Sequence, residues 1–205
     1  MTPRSLLLVL LTAASCAAPP RAPAPAAPGD LQPLEPGHEW VYEAGDRIQT
    51  RRVTGVERVG RFECRVLEAR TGDSVERFWM RWDPKGLKVY RVSDGGRTVD
   101  FDDPLLLIQL PAVPGATWSF DERHGPVTLK VAARYEGDEE MSIVNRAWKC
   151  SRIRLIKRVG ARVVVDQTCW YAREVGLVRM TVVVAGQEGE SRTTLQLKSC
   201  NFLPE

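Results

Sequence analysis

Pro36-Gly37-His38-Glu39-Trp40-Val41-Tyr42 is answered 78 residues on by Pro114-Gly115-Ala116-Thr117-Trp118-Ser119-Phe120. Both stretches read Pro-Gly, two residues, Trp, one residue, aromatic. Pro-Gly sets a turn, and the Trp and the aromatic two positions later share one face of the strand that follows. Two more landmarks recur in the same order. Phe62-Glu63-Cys64-Arg65-Val66 is echoed by Trp148-Lys149-Cys150-Ser151-Arg152, and Gly86-Leu87-Lys88-Val89 by Gly176-Leu177-Val178-Arg179. The offset grows from 78 to 86 to 90, as small insertions in hairpin loops of the second half would produce. The period is too long for a solenoid unit, so the landmarks imply two halves of one domain, about 35–110 and 111–205.

Around these landmarks, short alternating runs are punctuated by Gly, Asp and Asn. Strands are expected at Arg47–Val56, Glu63–Ala69, Val75–Trp82 and Leu87–Val92. In the second half they are expected at Val127–Tyr135, Ala147–Lys157, Arg162–Tyr171, Leu177–Val184 and Ser191–Ser199. No long stretch carries a 3.6-residue apolar period, and Leu105–Leu110 reads as a short helix or a segment crossing between halves. The expected fold is mainly β: an antiparallel, strongly curved sheet, half-barrel or open barrel, made of two similar meanders. Residues 35–205 are read as a single β domain.

The N-terminus has a different character. One Arg at position 4 precedes the apolar run Leu6–Leu11, and small residues lead to Cys16. This is the layout of a secretory signal peptide over residues 1–15, and the run is too short to span a bilayer. Ala13-Ala14-Ser15-Cys16 resembles the lipobox of bacterial lipoproteins, with Ala13 where Leu is usual. That resemblance implies lipidation of Cys16 and a membrane anchor. Cleavage after Ala17, giving a soluble secreted protein, is the competing reading. Residues 16–34, rich in Ala and Pro, read as an extended tether. By the same resemblance, the absence of Asp after Cys16 implies the outer membrane, with the domain facing the periplasm.

Composition removes several classes of function. The 29 basic and 26 acidic residues are interspersed and the net charge is +3, so there is no basic patch for nucleic acid. Beyond Cys16 the cysteines are Cys64, Cys150, Cys169 and Cys200, an even number in an exported chain, which suggests disulfides. A hairpin centred between Val159 and Gly160 would set Cys150 opposite Cys169, and closing that loop would contribute about 3 kcal/mol. Cys64 and Cys200 are then paired by elimination. There is no Cys-x-x-Cys, and His38 and His124 have no ligand spacing to these cysteines, so no metal and no cofactor are expected.

Both histidines read as exposed loop residues without a nucleophile motif, and no catalytic residue is assigned. Asp100-Phe101-Asp102-Asp103 and Gly137-Asp138-Glu139-Glu140 read as polar turns. Trp40 and Trp118 read as core. Trp79 and Trp82 should face opposite sides of a strand, and Trp82 or Trp170 could line a cavity. Arg152, Arg154 and Arg158 form a solvated ridge, with anionic lipid or peptidoglycan as the alternative.

The Pro-Gly-x-x-Trp-x-aromatic openings, the Cys-bearing strands and the late Gly-Leu-Val segment resemble uncharacterised bacterial envelope lipoproteins of the lipoprotein-localisation (Lol) type. That resemblance covers most of residues 35–203 and implies an open β half-barrel around an apolar cavity. It carries over no ligand-contacting residue. The expected role is non-catalytic binding, carriage or assembly at the envelope, with a membrane, an apolar ligand or another envelope protein as partner. The alternatives are an envelope hydrolase and a purely structural subunit.

Overall fold

The computed structural model describes residues 31–124, 127–186 and 189–202. Cys16, the signal segment and most of the tether lie outside the described residues. Within them the chain forms twelve strands and no helix. These are β1 (Glu39–Ala44), β2 (Arg47–Val59), β3 (Phe62–Thr71), β4 (Ser74–Asp83), β5 (Gly86–Ser93), β6 (Thr98–Gln109), β7 (Thr117–His124), β8 (Val127–Ile143), β9 (Arg146–Val159), β10 (Arg162–Ala172), β11 (Gly176–Ala185) and β12 (Glu190–Cys200). They make one antiparallel sheet in the order β6-β5-β4-β3-β2-β1-β12-β11-β10-β9-β8-β7. The sheet curls into a nearly closed barrel, because its outer strands β6 and β7 come back alongside each other. The curved open barrel expected from the sequence is therefore the observed fold.

The curl follows from strand alternation and bulges. In β1, Trp40 and Tyr42 are buried while their neighbours are not. The same face of the sheet continues through Val53, Leu67, Met80, Leu87 and Val89 in the first half. In the second half it continues through Val131, Ala133, Ile153, Leu155, Leu195 and Leu197, and all of these belong to one buried core. Register shifts at Val53/Gly55, Trp79/Met80, Val89/Arg91, Tyr135/Gly137 and Trp170/Tyr171 add the local twist that a closing sheet needs. A second, smaller cluster of Val59, Cys64, Val66, Trp79 and Tyr90 lies on the other face, so Trp79 and Trp82 do face opposite sides.

The two halves repeat local geometry in detail. Gly37 N–H donates to Val53 O at 2.8 Å, and Val53 N–H donates back to His38 O at 2.9 Å. Gly115 N–H donates to Tyr135 O at 2.7 Å, and Tyr135 N–H donates back to Ala116 O at 2.9 Å. Both glycines need positive φ, 92° and 85°. The landmarks fall on β1 and β7, on β3 and β9, and on β5 and β11.

Three expectations are corrected. Leu105–Leu110 is not a helix or crossover: Leu105, Leu106 and Ile108 pair with β5 as part of β6. A short apolar run carries no period that separates the two states. The Asp100–Asp103 stretch lies within that same strand, and Gly137–Glu140 lies inside the 17-residue β8. The β8–β9 turn is instead at Val144-Asn145, both at positive φ. Finally, residues 31–34, read as the end of the tether, belong to the folded body. Leu31 is 0% exposed, and Gln32 and Leu34 are buried.

Candidate functional site: the barrel lumen

The antiparallel order gives the barrel two unlike ends. At the rim, the fully described connections are hairpins of two residues at 45–46, 72–73 and 160–161 and of four at 94–97, too short to reach across. At the other end, residues 31–34 form a lid. Gln32 O accepts the Trp82 indole N–H at 2.9 Å, and Gln32 Oε1 accepts Leu177 N–H at 3.1 Å. Gly176, at φ 97°, makes room for this side chain, since a Cβ there would lie 2.9 Å from Gln32 Oε1. Beside the lid, Trp40 Nε1 donates to Val175 O at 2.6 Å and Tyr42 OH to Leu177 O at 2.8 Å. His38 is not an exposed loop residue: it stacks on Phe202 with ring centroids 4.1 Å apart. His124 is the last residue of β7 rather than part of a loop. A half-open cavity of about 730 Å³ sits against the lid, lined in part by Pro33, Leu34, Met80 and Trp82.

Towards the rim the lumen turns polar. On β2, Arg47, Gln49 and Arg51 share a face with Val53, which belongs to the core. Arg51 Nε donates to Gln49 Oε1 at 2.7 Å, and Gln49 Nε2 donates to Thr71 Oγ1 at 3.0 Å. The Arg51 guanidinium sits 5.3 Å from the centroid of the Tyr42 ring. Its charge is also felt by Cys169 and Tyr171 on β10, four strands along the sheet, so it projects into the lumen. Burial pushes the Tyr42, Tyr171 and Cys169 acids upward and Arg51 pulls them back. Lys157 and Glu122 form a half-buried ion pair at 2.7 Å from β9 to β7. A second cavity, about 460 Å³, opens at the rim beside Arg47, Ile48, Thr71 and Gly72.

The grouping nearest to a reactive constellation is Tyr135, Asp138 and Ser151. The Tyr135 hydroxyl and Ser151 Oγ (3.0 Å) both bond Asp138, and Lys149 Nζ lies 3.3 Å from the same carboxylate. Burial and the Asp138 bond push Tyr135 up to about 12. For Asp138 burial acts upward, but the hydrogen bonds from Tyr135, Ser151 and Lys149 outweigh it and hold the acid low. A tyrosine that keeps its proton and a carboxylate made less basic are poor general bases near neutrality. The group instead braces the bulge at Tyr135/Gly137.

The cysteines do not meet. Cys150 stands opposite Ala172, and Cys169 opposite Ile153. The turn falls at Gly160-Ala161 rather than between Val159 and Gly160, and a bulge at Val163/Val165 adds a further residue of slip. Both thiols lie in the main buried core, three residues out of register with each other. Cys64 lies in the outer cluster of β3, while Cys200 ends β12, with β2 and β1 between them. Among the described residues none of the four forms a disulfide. The arginine ridge is largely neutralised: Arg152 bonds Glu136 and Glu139, and Arg154 bonds Asp166 through two nitrogens. Trp170 lies under Arg179, 5.5 Å from guanidinium carbon to ring centroid. Among the described residues no group of three or more His, Cys, Asp or Glu could hold a metal ion.

No protein-family model and no curated protein matches the chain. Two solved structures are similar to it. One, from Parabacteroides distasonis, is provisionally described as a lipoprotein. It has a TM-score of 0.41 and 13% identity, covering 84% of this chain and 98% of that one. The other, from Bacteroides fragilis, is provisionally described as an exported protein with a YmcC-like fold. It has a TM-score of 0.43 and 13% identity, covering 84% of this chain and 99% of that one. Likeness at this level carries nothing about activity or ligand.

Sequence reasoning missed the lid and the polar wall of β2. The second is seen only once the β1–β2 and β7–β8 registers set Arg47, Gln49 and Arg51 against Leu129, Val131 and Ala133.

Proposed function

We propose that this protein is an envelope lipoprotein, anchored through Cys16 to the outer membrane on its periplasmic side, whose barrel is a non-catalytic binding module built from a duplicated six-stranded unit. The observation that carries this reading is the lid. The chain enters the fold at residues 31–34, where it closes one end of the barrel. A membrane tether attached there leaves the opposite rim, with its short hairpins, turned away from the bilayer. The paired Gly37 and Gly115 hydrogen bonds support the duplication. The polar stretch of the lumen at Arg47, Gln49 and Arg51 favours binding over a purely structural role, because a barrel needed only as scaffold would continue its apolar core there.

Two measurements on the full chain test this. Cys16→Ser should move the protein from the membrane to the soluble fraction, and native mass spectrometry of the membrane-extracted parent should show a bound species lost on denaturation. Retention of Cys16→Ser in washed membranes would overturn the anchor. A parent that carries nothing, together with a lumen indifferent to every added ligand, would overturn the binding role.

A further inference from the structure

The two halves serve as each other's control. Trp40 lies opposite Arg51 in the β1–β2 ladder, and Trp118 lies opposite Ala133 in the β7–β8 ladder. Tyr42 lies opposite Gln49, and Phe120 opposite Val131. Ala44 lies opposite Arg47, and Glu122 opposite Leu129. Neither ladder is interrupted over these residues, so the positions correspond one to one. At the three places where β8 turns Leu129, Val131 and Ala133 inward, β2 turns Arg47, Gln49 and Arg51 inward. The fold accepts apolar side chains there, so packing does not require the two cations. Arg47 is exposed at the rim and Arg51 is half-buried, and holding a half-buried guanidinium is costly without a compensating partner.

That partner is not a carboxylate of the described chain. Among the described residues Arg51 donates to Gln49 through Nε and lies over the Tyr42 ring, and Arg47 forms no ion pair. This leaves the two terminal nitrogens of Arg51 with their N–H donors. Several outer-face arginines do have carboxylate partners: Arg91 bonds Asp100, Arg77 and Arg70 bond Glu68, and Arg154 bonds Asp166. The Gln49–Thr71 bridge holds the Arg51 side chain by its Nε, so the planar fork is oriented before anything binds. A cavity at the rim lies beside Arg47 and Thr71.

We propose that the inner face of β2 is an oxyanion-binding site, in which Arg51 and Arg47 take the carboxylate or phosphate group of a ligand entering through the rim. A rigid guanidinium fork matches both groups in a two-point hydrogen bond, and a partly dry lumen strengthens it. The site rests on the binding role proposed above and gives it a ligand chemistry.

The test uses the full chain carrying Cys16→Ser, labelled with 15N-arginine, with the Arg51 Nε–H resonance followed by NMR. Laurate, glucuronate and inorganic phosphate are titrated separately, with dodecanol as the uncharged control. The expected result is a saturable shift with at least one oxyanion. Affinity should fall at least about tenfold in Arg51→Gln, fall less in Arg47→Gln and stay unchanged in Arg158→Gln on the outer wall. Which of the three binds separates an acyl carboxylate, a sugar acid and free phosphate. If Arg51→Gln is poorly folded, the parent titration and Arg47→Gln still decide. Dodecanol binding as tightly as laurate, with both arginine variants unaffected, overturns the oxyanion site and leaves the binding role standing. Silence from all four compounds overturns the site and counts against the binding role as well.

Discussion

Leu31→Ala probes whether the folded body begins before the first strand. Leu31 is 0% exposed and belongs to the main core, although it stands eight residues ahead of β1. Truncating a fully buried Leu to Ala costs about 2–5 kcal/mol, through lost transfer free energy and the cavity left behind. In a domain of about 170 residues each kcal/mol moves Tm by about 2–4 °C, so a drop on the order of 10 °C is expected. Gly176→Ala attacks the same lid from the barrel side. Its φ of 97° is strained for Ala, and the new Cβ would meet the Gln32 amide. Strain of this kind costs about 1–3 kcal/mol. If the lid is one unit, the double variant is less destabilised than the two singles added together, by about 0.5 kcal/mol or more. The assay is urea unfolding of the full chain with Cys16→Ser. Ile48→Ala, at a residue 46% exposed, serves as the control, with a change of about 0.5 kcal/mol or less. A Leu31→Ala chain within about 0.5 kcal/mol of its parent would refute the lid, because complete burial in a core is incompatible with so small a loss.

Two further outcomes follow from the cysteines and the acidic side chains. Cys16→Ser protein unfolded without reductant should titrate with four thiols in Ellman's reagent; a deficit of two would mean that a pair is bonded after all. In the native chain the reaction should be slow, since burial, with Glu139 and Asp138 adding to it, pushes Cys150 up to about 11. At pH 8 that leaves about one thiolate in a thousand. The hydrogen bond from Arg154 holds Asp166 below its ordinary value. A carboxyl lowered in the folded state adds stability above its unfolded pKa, and loses it as pH falls through the folded value. The urea midpoint should therefore decline from about pH 4 downward, and Asp166→Asn should flatten that decline. Both side chains are about one-third or more exposed, so the effect is no more than about 1 kcal/mol. Parallel pH curves for parent and variant would remove Asp166 from the account.

The sheet was legible because its signals are local. Alternation around Trp40 and Trp118, and Gly at the turns, mark nearly every strand to within a few residues. What was not legible depends on register. One hairpin residue and one bulge in the β9–β10 ladder separate Cys150 from Cys169, and neither leaves a compositional mark. Leu31 and Leu34 were hidden by their neighbours: a Pro-rich approach reads as linker whatever two leucines do at its end. Gly137-Asp138-Glu139-Glu140 has turn composition yet runs through a long strand. Asp138 is held there by Tyr135 and Ser151, and Glu139 by Arg152, partners 3 to 13 residues away. The β2 wall escaped because three polar residues at alternate positions read as a solvated face. Only their apolar counterparts on β8 reveal that the face points inward.

The departures from symmetry are not scattered. The junction of β1 with β12 is a ladder from Trp40–Cys200 to Glu43–Gln196 with one bulge at Val41/Tyr42, and Asn201 clamps it by bonding Glu39 N–H and Gly37 O at 2.8 and 3.0 Å. Among the described residues the corresponding junction of β6 with β7 has no ladder, and Trp118 Nε1 donates across it to Leu106 O at 2.7 Å. Pro104 sits within β6 and brings no N–H to that edge. The cationic wall of β2 is next to the closed junction, and the apolar wall of β8 is next to the open one. A charged recognition group gains from being held still, because misplacing a fork forfeits its two-point geometry, whereas an apolar wall tolerates displacement with little loss. If the barrel widens to admit a ligand, the seam between β6 and β7 is where it gives, and Arg47 and Arg51 stay where β1 and β12 hold them.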